Sequence, residues 1–312
     1  MMTFINLNNP AIGELSYKQF SYPDGQPHCE FAVDAVRAAA EKGSVELVAA
    51  VRNGNDLLQI AMAVDALISA LSSQFAVVNL NISYLLGARM DRRVAAGQPA
   101  TLAVVAATLN TIKGIKNLRI LDAHSPETFT QLPTATPLHP DALVAYVIKH
   151  LTQQHNAAPV IVIPDAGAVP RTTAILTRLG AKNSTAQCSK KRDSQTGKLS
   201  GFQFDAGDVN GKVALIVDDI CDGGGTFAGI ATLLRAQGAT HVYLCVTHGI
   251  FSKGIEIDGI DASFCSDSYC VPKQEDYAVT ATASGVDALE YVRDNKLRLV
   301  VIPKFVEHVL RG

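Results

Sequence analysis

Short apolar runs alternate along the chain with segments whose apolar residues recur at helical spacing. The runs are typical of buried strands and predict strands at 4–7, 46–51, 75–82, 118–121, 159–163, 213–217, 242–246 and 297–302. The helical spacing predicts helices at 56–71, 101–112, 141–153, 171–179, 227–237 and 305–310. Strands that alternate with helices indicate parallel sheets joined by right-handed crossovers.

This alternation runs twice, with a break near 135–140. A chain of 312 residues is long for one core, so two domains are expected. The predicted fold is α/β, with two doubly wound parallel-sheet domains at 1–140 and 141–302 and a cleft between them. A C-terminal helix at 303–312 follows and could pack back on the first domain. Functional residues are expected at the carboxyl ends of the strands.

Bulk composition excludes several classes of protein. A net charge of −2 without a basic tract argues against a dedicated nucleic-acid binder. No apolar run approaches the ~18–20 residues of a membrane span, and no signal peptide is visible. The six cysteines show no metal-type spacing, so we expect a cytoplasmic protein with reduced thiols. The polar, basic stretch at 189–201 predicts a mobile loop.

The segment at 213–226 carries the strongest functional pattern. An apolar strand runs into Asp218 and Asp219, and three consecutive glycines and Thr226 then lead into a helix. A glycine-rich turn at a helix start exposes backbone N–H groups to an anion such as phosphate. Carboxylates are acceptors that suit sugar hydroxyls or a cation. The segment therefore predicts a site for a phosphorylated sugar, whereas a plain strand-to-helix turn would need only one glycine.

Four other polar stretches follow predicted strands or lie in the polar loop. Each alone is typical of a solvated surface or a structural contact. Together they supply the cations and oxygen or imidazole ligands that phosphoryl transfer requires around a polyphosphate and Mg²⁺. The four stretches are 89–93, 122–125, 164–167 and 190–192.

The segment at 213–226 resembles the 5-phosphoribosyl 1-pyrophosphate loop of type I phosphoribosyltransferases and ribose-phosphate pyrophosphokinases. The stretch Val246-Thr-His-Gly-Ile-Phe-Ser252 resembles the pyrophosphokinases in particular. The resemblance implies that Asp218 and Asp219 hold the ribose hydroxyls. It also implies that the 5-phosphate is bound by the turn Asp222, Gly223, Gly224, Gly225 and Thr226.

Further matches to the pyrophosphokinase family follow in order along nearly the whole chain. The resemblance implies an ATP site that contains Tyr22, Asp24, Gln26, Arg89 and Asp91. It implies a metal site at His124 and Asp165, with Asp165 also at the ribose, and catalytic roles for Lys190, Arg192, Asp218 and Asp219. Three positions depart from the family pattern, namely Gln26 for Glu, Met90 for Gln and Gly223 for Thr or Ser.

The implied activity is that of a Mg²⁺-dependent pyrophosphokinase. Its partners would be ATP and a 5-phosphoribosyl acceptor, with no nucleic acid and no membrane, and it would form a homo-oligomer, a dimer or hexamer. Ribose 5-phosphate is the expected acceptor, and a larger one such as ADP-ribose is the alternative that Gly223 raises. A phosphoribosyltransferase and an inactive regulatory homologue are the rival functions. Cys221, between the acidic residues, is expected to be structural.

Overall fold

The computed structural model describes residues 1–10, 13–71, 78–192, 199–269, 277–282 and 288–311, with the backbone alone at 190–192 and 199–200. The chain divides into two compact units. Unit 1 comprises Met1–Leu138 with Val306–Gly312, and unit 2 comprises His139–Phe305. The boundary falls inside the stretch at 135–140 where the sequence pattern breaks.

Unit 1 contains a five-stranded parallel sheet with the order β1-β4-β5-β6-β7. Its strands are β1 (Met2–Asn6), β4 (Ser44–Val51), β5 (Val78–Leu85), β6 (Ile115–Leu121) and β7 (Ala135–Leu138). The helices between them are α1 (Val33–Lys42), α2 (Gly54–Leu71), α3 (Thr101–Thr111) and α4 (Glu127–Gln131). The strands follow chain order from edge to edge, so right-handed crossovers place these helices on one face. The prediction of a doubly wound sheet is therefore wrong for unit 1, because its strand order never reverses.

That helix-covered face forms the core of unit 1. Val45, Leu47 and Ala49 alternate along β4 and pack in one cluster with Ile60 and Val64 of α2. Within the described chain, α2 is the one helix long and apolar enough by length and composition to cross a membrane. Its apolar side is explained by this core, because a helix that is buried against a sheet carries such a stripe.

The opposite face of the same sheet carries a row of polar side chains. Glu46 is 1% exposed, and its carboxylate accepts hydrogen bonds from Asn79 at 2.7 Å, Asn81 at 2.9 Å and Arg119 at 3.1 Å. These residues share a face because the strand register pairs Glu46 with Asn79, and Asn81 with Arg119. A buried carboxylate requires such partners, since an unpaired buried charge is strongly destabilising.

The end of the chain returns to unit 1. Helix α8 (Phe305–Arg311) carries the Arg311 guanidinium, which lies 4.9 Å from the centroid of the Phe4 ring and donates to Glu14 at 2.5 Å. Phe4 pairs with Glu46 in the sheet register and therefore lies on the polar face. The C-terminal helix thus contacts the sheet face that the crossover helices leave open.

A two-stranded antiparallel hairpin precedes α1. It consists of β2 (Tyr17–Ser21) and β3 (Pro27–Phe31), and its turn contains Tyr22, Asp24 and Gln26. The composition of this stretch predicts the turn but not the two strands, because β2 is exposed at four of its five positions and shows no apolar alternation.

Unit 2 contains a nine-stranded sheet with the order β10-β9-β8-β11-β12-β13-β16-β15-β14. Its central strands are parallel, and the strand order reverses between β8 and β11, which defines a doubly wound sheet. The strands are β8 (Val160–Ile163), β9 (Thr185–Arg192), β10 (Leu199–Ala206), β11 (Val213–Cys221), β12 (His241–Gly249), β13 (Ala262–Ser266), β14 (Ala278–Thr282), β15 (Ala288–Arg293) and β16 (Lys296–Ile302). The helices are α5 (Asp141–His155), α6 (Val169–Leu179) and α7 (Gly225–Ala236).

Antiparallel strands extend both edges of this sheet. β10 pairs with β9 at one edge, and β14 and β15 follow β16 at the other. The prediction of a loop at 189–201 is therefore wrong over 189–192 and 199–201, which are strand residues of the β9–β10 hairpin; residues 193–198 lie outside the described chain. Edge strands need no apolar run, since one edge faces solvent, and polar composition therefore concealed them.

The buried polar row generates a prediction on stability. Glu46 is 1% exposed, and within the described chain Arg119 is the only residue that forms an ion pair with it. Replacing Arg119 by Met removes this cation. We expect a loss of about 2–4 kcal/mol in the free energy of unfolding by urea. The matched control is Lys18→Met, which removes an exposed ion pair to Glu30 and should change little. A loss no larger than that of the control would contradict the assigned role.

Candidate functional site

Three parallel strands of unit 2 end at the same edge of the sheet. β11 lies between β8 and β12, with Ile216 opposite Val162 and Asp218 opposite Val246. Asp165 follows the end of β8, Asp218 lies near the end of β11, and Thr247 lies near the end of β12. The register alone therefore brings polar side chains from three separate chain segments to one edge, as the sequence pattern predicts for a parallel sheet.

The turn after β11 leads directly into a helix. Gly224 adopts φ +74°, and a Cβ at this position would lie 3.0 Å from Ile257, so a residue without a side chain is required here. α7 begins at Gly225, and its first turn contains no acidic residue and its N-terminus no side-chain cap in the described structure. The backbone N–H groups of this turn and the positive end of the helix dipole are therefore suited to an anion.

The segment after β12 is fastened to this turn. The backbone N–H groups of Ile250 and Phe251 donate to the Cys221 carbonyl at 2.8 and 3.1 Å. The Ser252 hydroxyl donates to the Asp222 carboxylate at 2.6 Å, and the Ser252 N–H donates to the Asp222 carbonyl at 3.2 Å. Side chains after β12 therefore have fixed positions relative to the glycine turn.

Asp218 carries an unusual protonation equilibrium. Burial and the adjacent Asp219 carboxylate raise the pKa of Asp218 to about 7, against the attraction of Arg171. Asp219 is buried, and its backbone N–H donates to the Asp218 carboxylate at 2.9 Å. Two neighbouring carboxylates away from water cannot both ionise cheaply. Near neutral pH this pair can therefore both accept and donate hydrogen bonds, and a sugar hydroxyl can pair with either kind of group.

Asp165 is held by its local backbone. It precedes a single 3₁₀ turn at Ala166–Ala168, and its carboxylate accepts a hydrogen bond from the Ala168 N–H at 3.1 Å. This contact orients the side chain at the end of β8. Within the described residues, no group of three or more His, Cys, Asp or Glu side chains is arranged to hold a metal ion. Mg²⁺ in nucleotide sites needs only one or two carboxylates with substrate phosphates and water, and Asp165 offers that kind of oxygen ligand.

Cys221 is not a candidate nucleophile. Its side chain is fully buried, and burial together with the neighbouring Asp222 carboxylate raises the pKa of the thiol to about 12. The thiolate is the reactive form of cysteine, so this thiol is inert at neutral pH. The geometry agrees with the structural role that the sequence predicts for it.

The predicted ATP residues of unit 1 lie at two places. Tyr22, Asp24 and Gln26 form the hairpin turn, where the Tyr22 N–H donates to the Gln26 carbonyl at 2.9 Å and Asp24 accepts from the Gln26 N–H at 3.0 Å. Arg89 follows the end of β5, in a turn closed by a hydrogen bond from the Met90 N–H to the Gly87 carbonyl at 2.8 Å, and Asp91 comes directly after this turn. Within this unit, the structure places the two groups on different elements.

His124 is exposed in the loop after β6. Two residues earlier Asp122 adopts φ +43°, and its N–H donates to the Leu138 carbonyl at 2.9 Å. This backbone contact ties the start of the loop to the neighbouring strand β7. His124 thus lies at the carboxyl end of the first sheet, as the sequence pattern predicts.

Lys190 and Arg192 belong to β9, where their Cα partners in β10 are Phe202 and Leu199. Their side chains lie outside the described part of the structure. Their predicted catalytic role therefore stays a prediction.

The sequence pattern predicts no role for four residues near this edge, namely Arg171, Thr247, Ser252 and Lys253. Arg171, in α6, donates to the Thr247 hydroxyl at 3.2 Å and is the cation that counteracts the raised pKa of Asp218. Ser252 bonds to Asp222, and Lys253 lies beside Gly223. Arg171 and Lys253 are separated from Asp218 by tens of residues in sequence, and no local pattern marks either as a site residue.

Known proteins are similar to this chain both over one domain and over most of its length. Residues 136–274 match the model of the phosphoribosyl transferase domain. Ribose-phosphate pyrophosphokinase 1 of Listeria monocytogenes is 30% identical over 227 residues, which cover 70% of this chain and 68% of the relative. Ribose-phosphate pyrophosphokinase of Mycoplasmopsis pulmonis is 28% identical over 265 residues, 83% of this chain and 74% of the relative.

A solved structure shares the fold. The crystal structure of phosphoribosylpyrophosphate synthetase from Mycobacterium smegmatis superposes with a TM-score of 0.72 at 18% sequence identity. The match covers 99% of this chain and 97% of the other. The predicted α/β class and phosphoribosyltransferase-like fold are confirmed.

Asp218 provides a pH-dependent test of the site. Its pKa rises from 3.8 to about 7 on folding. Between these pH values Asp218 ionises in the unfolded chain and stays protonated in the folded one, which stabilises the unfolded chain. Asp218 therefore lowers the free energy of unfolding of the wild type as pH rises from 4 to 7. Asp218→Asn lacks this ionisation. We expect its melting temperature, relative to the wild type, to increase from pH 4 to pH 7 and level off above. A difference that is constant with pH would contradict the raised pKa.

Proposed function

Because the chain belongs to the ribose-phosphate pyrophosphokinase family, we propose that it transfers the β,γ-diphosphoryl group of ATP to the 1-hydroxyl of ribose 5-phosphate. The products are 5-phosphoribosyl 1-pyrophosphate and AMP. The observation that carries the proposal is the edge formed by β11 and its turn. A pair of carboxylates there directly precedes a glycine turn whose backbone N–H groups start a helix. This places acceptors for ribose hydroxyls beside donors for a phosphate.

The turn from Asp222 to Thr226 binds the 5-phosphate, and Asp218 and Asp219 orient the ribose ring. The oxygen of the 1-hydroxyl attacks the β-phosphorus of ATP, the bond from that phosphorus to the oxygen of the α-phosphate breaks, and AMP leaves. The hydroxyl proton passes to solvent. Fixing the two reactants in line contributes a large share of the rate, because orientation alone is worth ~7–11 kcal/mol.

The ATP side rests on the family resemblance. Tyr22, Asp24 and Gln26 bind the adenine, and Arg89 and Asp91 bind the phosphates. Mg²⁺ at Asp165 and His124 would neutralise charge on the polyphosphate and align it. Lys190 and Arg192 stabilise charge that develops on the oxygen of the leaving AMP. The same resemblance supports a homo-oligomer.

Ribose 5-phosphate is the proposed acceptor rather than ADP-ribose. A second group on the 5-phosphate would need open space beside the turn. The space next to Gly223 is taken by the side chain of Lys253, whose Cδ lies 3.3 Å from the position of a Cβ on the glycine. This contact favours a terminal phosphate over a bulky diester.

The direct test combines product analysis with a comparison of acceptors. With ATP, Mg²⁺ and ribose 5-phosphate, we expect AMP and a 1-pyrophosphate in equal amounts, and no product in excess chelator until Mg²⁺ is restored. The ratio of kcat/KM for ribose 5-phosphate to that for ADP-ribose should exceed about a hundredfold, the scale of one lost bond to a charged phosphate. Formation of ADP, or turnover undiminished by chelator, would refute the proposal.

The matched control for this assay is the double variant with Asp218 and Asp219 replaced by Ala. It should lose acceptor turnover while its binding of ATP remains measurable, since the proposed adenine contacts lie on unit 1. Equal loss of ATP binding would show that the donor and acceptor residues are assigned to the wrong sites.

Lys190→Ala is expected to lower kcat by about 10²–10⁴ with a much smaller effect on KM for the acceptor, because its charge acts on the leaving oxygen in the transition state. Steady-state kinetics of AMP release measure both constants. Lys191→Ala, the neighbouring residue of the same strand, is the matched control. Equal losses in binding and turnover for Lys190→Ala would contradict a transition-state role.

A further inference from the structure

Lys253 lies against the glycine turn of unit 2. A Cβ at Gly223 would be 3.3 Å from the Lys253 Cδ, 3.4 Å from Cε and 3.5 Å from Cγ. Three carbons of the lysine chain therefore cover the position where a side chain at 223 would begin, and the ammonium is one bond beyond Cε. Gly223 itself needs no left-handed backbone conformation, so its lack of a side chain is not required by its own φ.

The backbone around Lys253 is fixed to the same turn. The residue lies in a tight turn that is closed by a hydrogen bond of 2.9 Å from the Gly254 N–H to the Phe251 carbonyl. The hydrogen bonds that fasten this segment, from Phe251 to the Cys221 carbonyl and from Ser252 to Asp222, end immediately before Lys253. The lysine chain therefore starts from a defined position beside the glycine turn.

The Lys253 ammonium has no ion-pair or hydrogen-bond partner within the described part of the chain. The nearest carboxylate of the turn, Asp222, already accepts the Ser252 hydroxyl at 2.6 Å. The lysine chain lies beside Gly223, two residues before α7 begins at Gly225, and the N–H groups at a helix start favour an anion. An ammonium at the same place adds a mobile positive charge with three donors, of the kind that binds phosphate as a point charge.

We propose that Lys253 binds the 5-phosphate of the acceptor and supplies the side-chain donor that Gly223 lacks. The identity of the anion rests on the proposed function. Positions 223 and 253 act as a pair, because a Thr at 223 would bring its own hydroxyl but would displace the lysine chain that now lies at 3.3–3.5 Å. Lys253 is thus a specificity-determining binding residue, and the chemistry at the 1-hydroxyl does not involve it.

The simpler alternative is that the lysine stem only covers the glycine while its ammonium remains in water, as long basic side chains often do. The two possibilities differ in the role of the charge. Lys253→Met keeps an unbranched chain over Gly223 and removes the ammonium, and Lys253→Arg keeps a cation. Lys182→Met is the matched control, because Lys182 precedes the amino end of β9, whereas Lys253 follows the carboxyl end of β12.

The test is equilibrium binding of ribose 5-phosphate by calorimetry without ATP, followed by kinetics. For Lys253→Met we expect the Kd for ribose 5-phosphate and the KM for the acceptor to rise about tenfold to a hundredfold. This is the effect of losing one hydrogen bond to a charged group. The kcat and the KM for ATP should stay within about threefold. Lys253→Arg should recover most of the loss, and Lys182→Met should match the wild type. A folded Lys253→Met protein with unchanged Kd overturns the proposal.

A double-variant cycle tests the pairing of the two positions. Gly223→Thr should weaken binding in the wild-type background and restore part of it in the Lys253→Met background, because the hydroxyl then replaces the ammonium. Effects of Gly223→Thr that are equal in both backgrounds overturn the pairing.

The binding and turnover measurements separate this proposal from the proposed function. A wild-type protein that binds ribose 5-phosphate but releases no AMP refutes the function, while a weaker Kd in Lys253→Met still supports the lysine. If only ADP-ribose binds, the acceptor is wrong, and the same loss measured with ADP-ribose supports the lysine. A wild-type protein that binds neither compound overturns both.

Discussion

The candidate site depends on the pairing of β11 along both of its edges. Hydrogen bonds to β8 and β12 bury the strand on either side, and the parallel register fixes where each of the three strands ends. The register brings Asp165, Asp218 and Thr247 to the same edge of the sheet. A one-residue change of register would turn the side chains of β11 to the opposite face. The register of the sheet therefore determines where the site residues begin.

The position of Asp218 and Asp219 in the sheet carries an energetic cost. At this sheet end Asp219 is buried and Asp218 is half-buried, and the pKa of Asp218 is raised to about 7. Arg171 reaches the same place from α6 and limits the rise in pKa without removing it. Unit 1 resolves a similar problem differently, since its buried Glu46 has two amides and a guanidinium as direct partners. A carboxylate with such partners is structural, whereas the pair in unit 2 retains capacity for a ligand.

Much of unit 2 could be predicted from local sequence. The run 213–217 and the glycines after it determine a strand, a turn and a helix start within one short segment, and the structure shows β11 and α7 there. The β9–β10 hairpin could not be predicted in this way, because β9 ends in a polar, basic stretch and β10, at the sheet edge, has no continuous apolar run. β14 and β15 extend the other edge, and neither of them contains a long apolar run. Strand pairing at an edge depends on the neighbouring strand, and a composition window contains no information on that neighbour.

The site residues also differ in whether the sequence alone can predict them. Asp218, Asp219 and the glycines are adjacent in the chain, so the amino-acid sequence by itself reveals their combination. In the sequence Lys253 is only a lysine that follows Ser252. Its position beside the glycine turn depends on the hydrogen bonds that join this segment to Cys221 and Asp222.

Those hydrogen bonds also change the significance of Gly223. In sequence, a glycine in place of a hydroxyl residue indicates a lost phosphate contact and additional space. In the fold, a lysine chain lies 3.3 Å from where the missing side chain would begin, so the space is filled and a cation stands close to the turn. A departure from a family pattern at one position is thus better judged together with the residues that contact it. If Lys253 binds the phosphate as we propose, the contact exchanges one phosphate donor for another. A larger substituent on the phosphate would then compete with the lysine chain for the space beside Gly223.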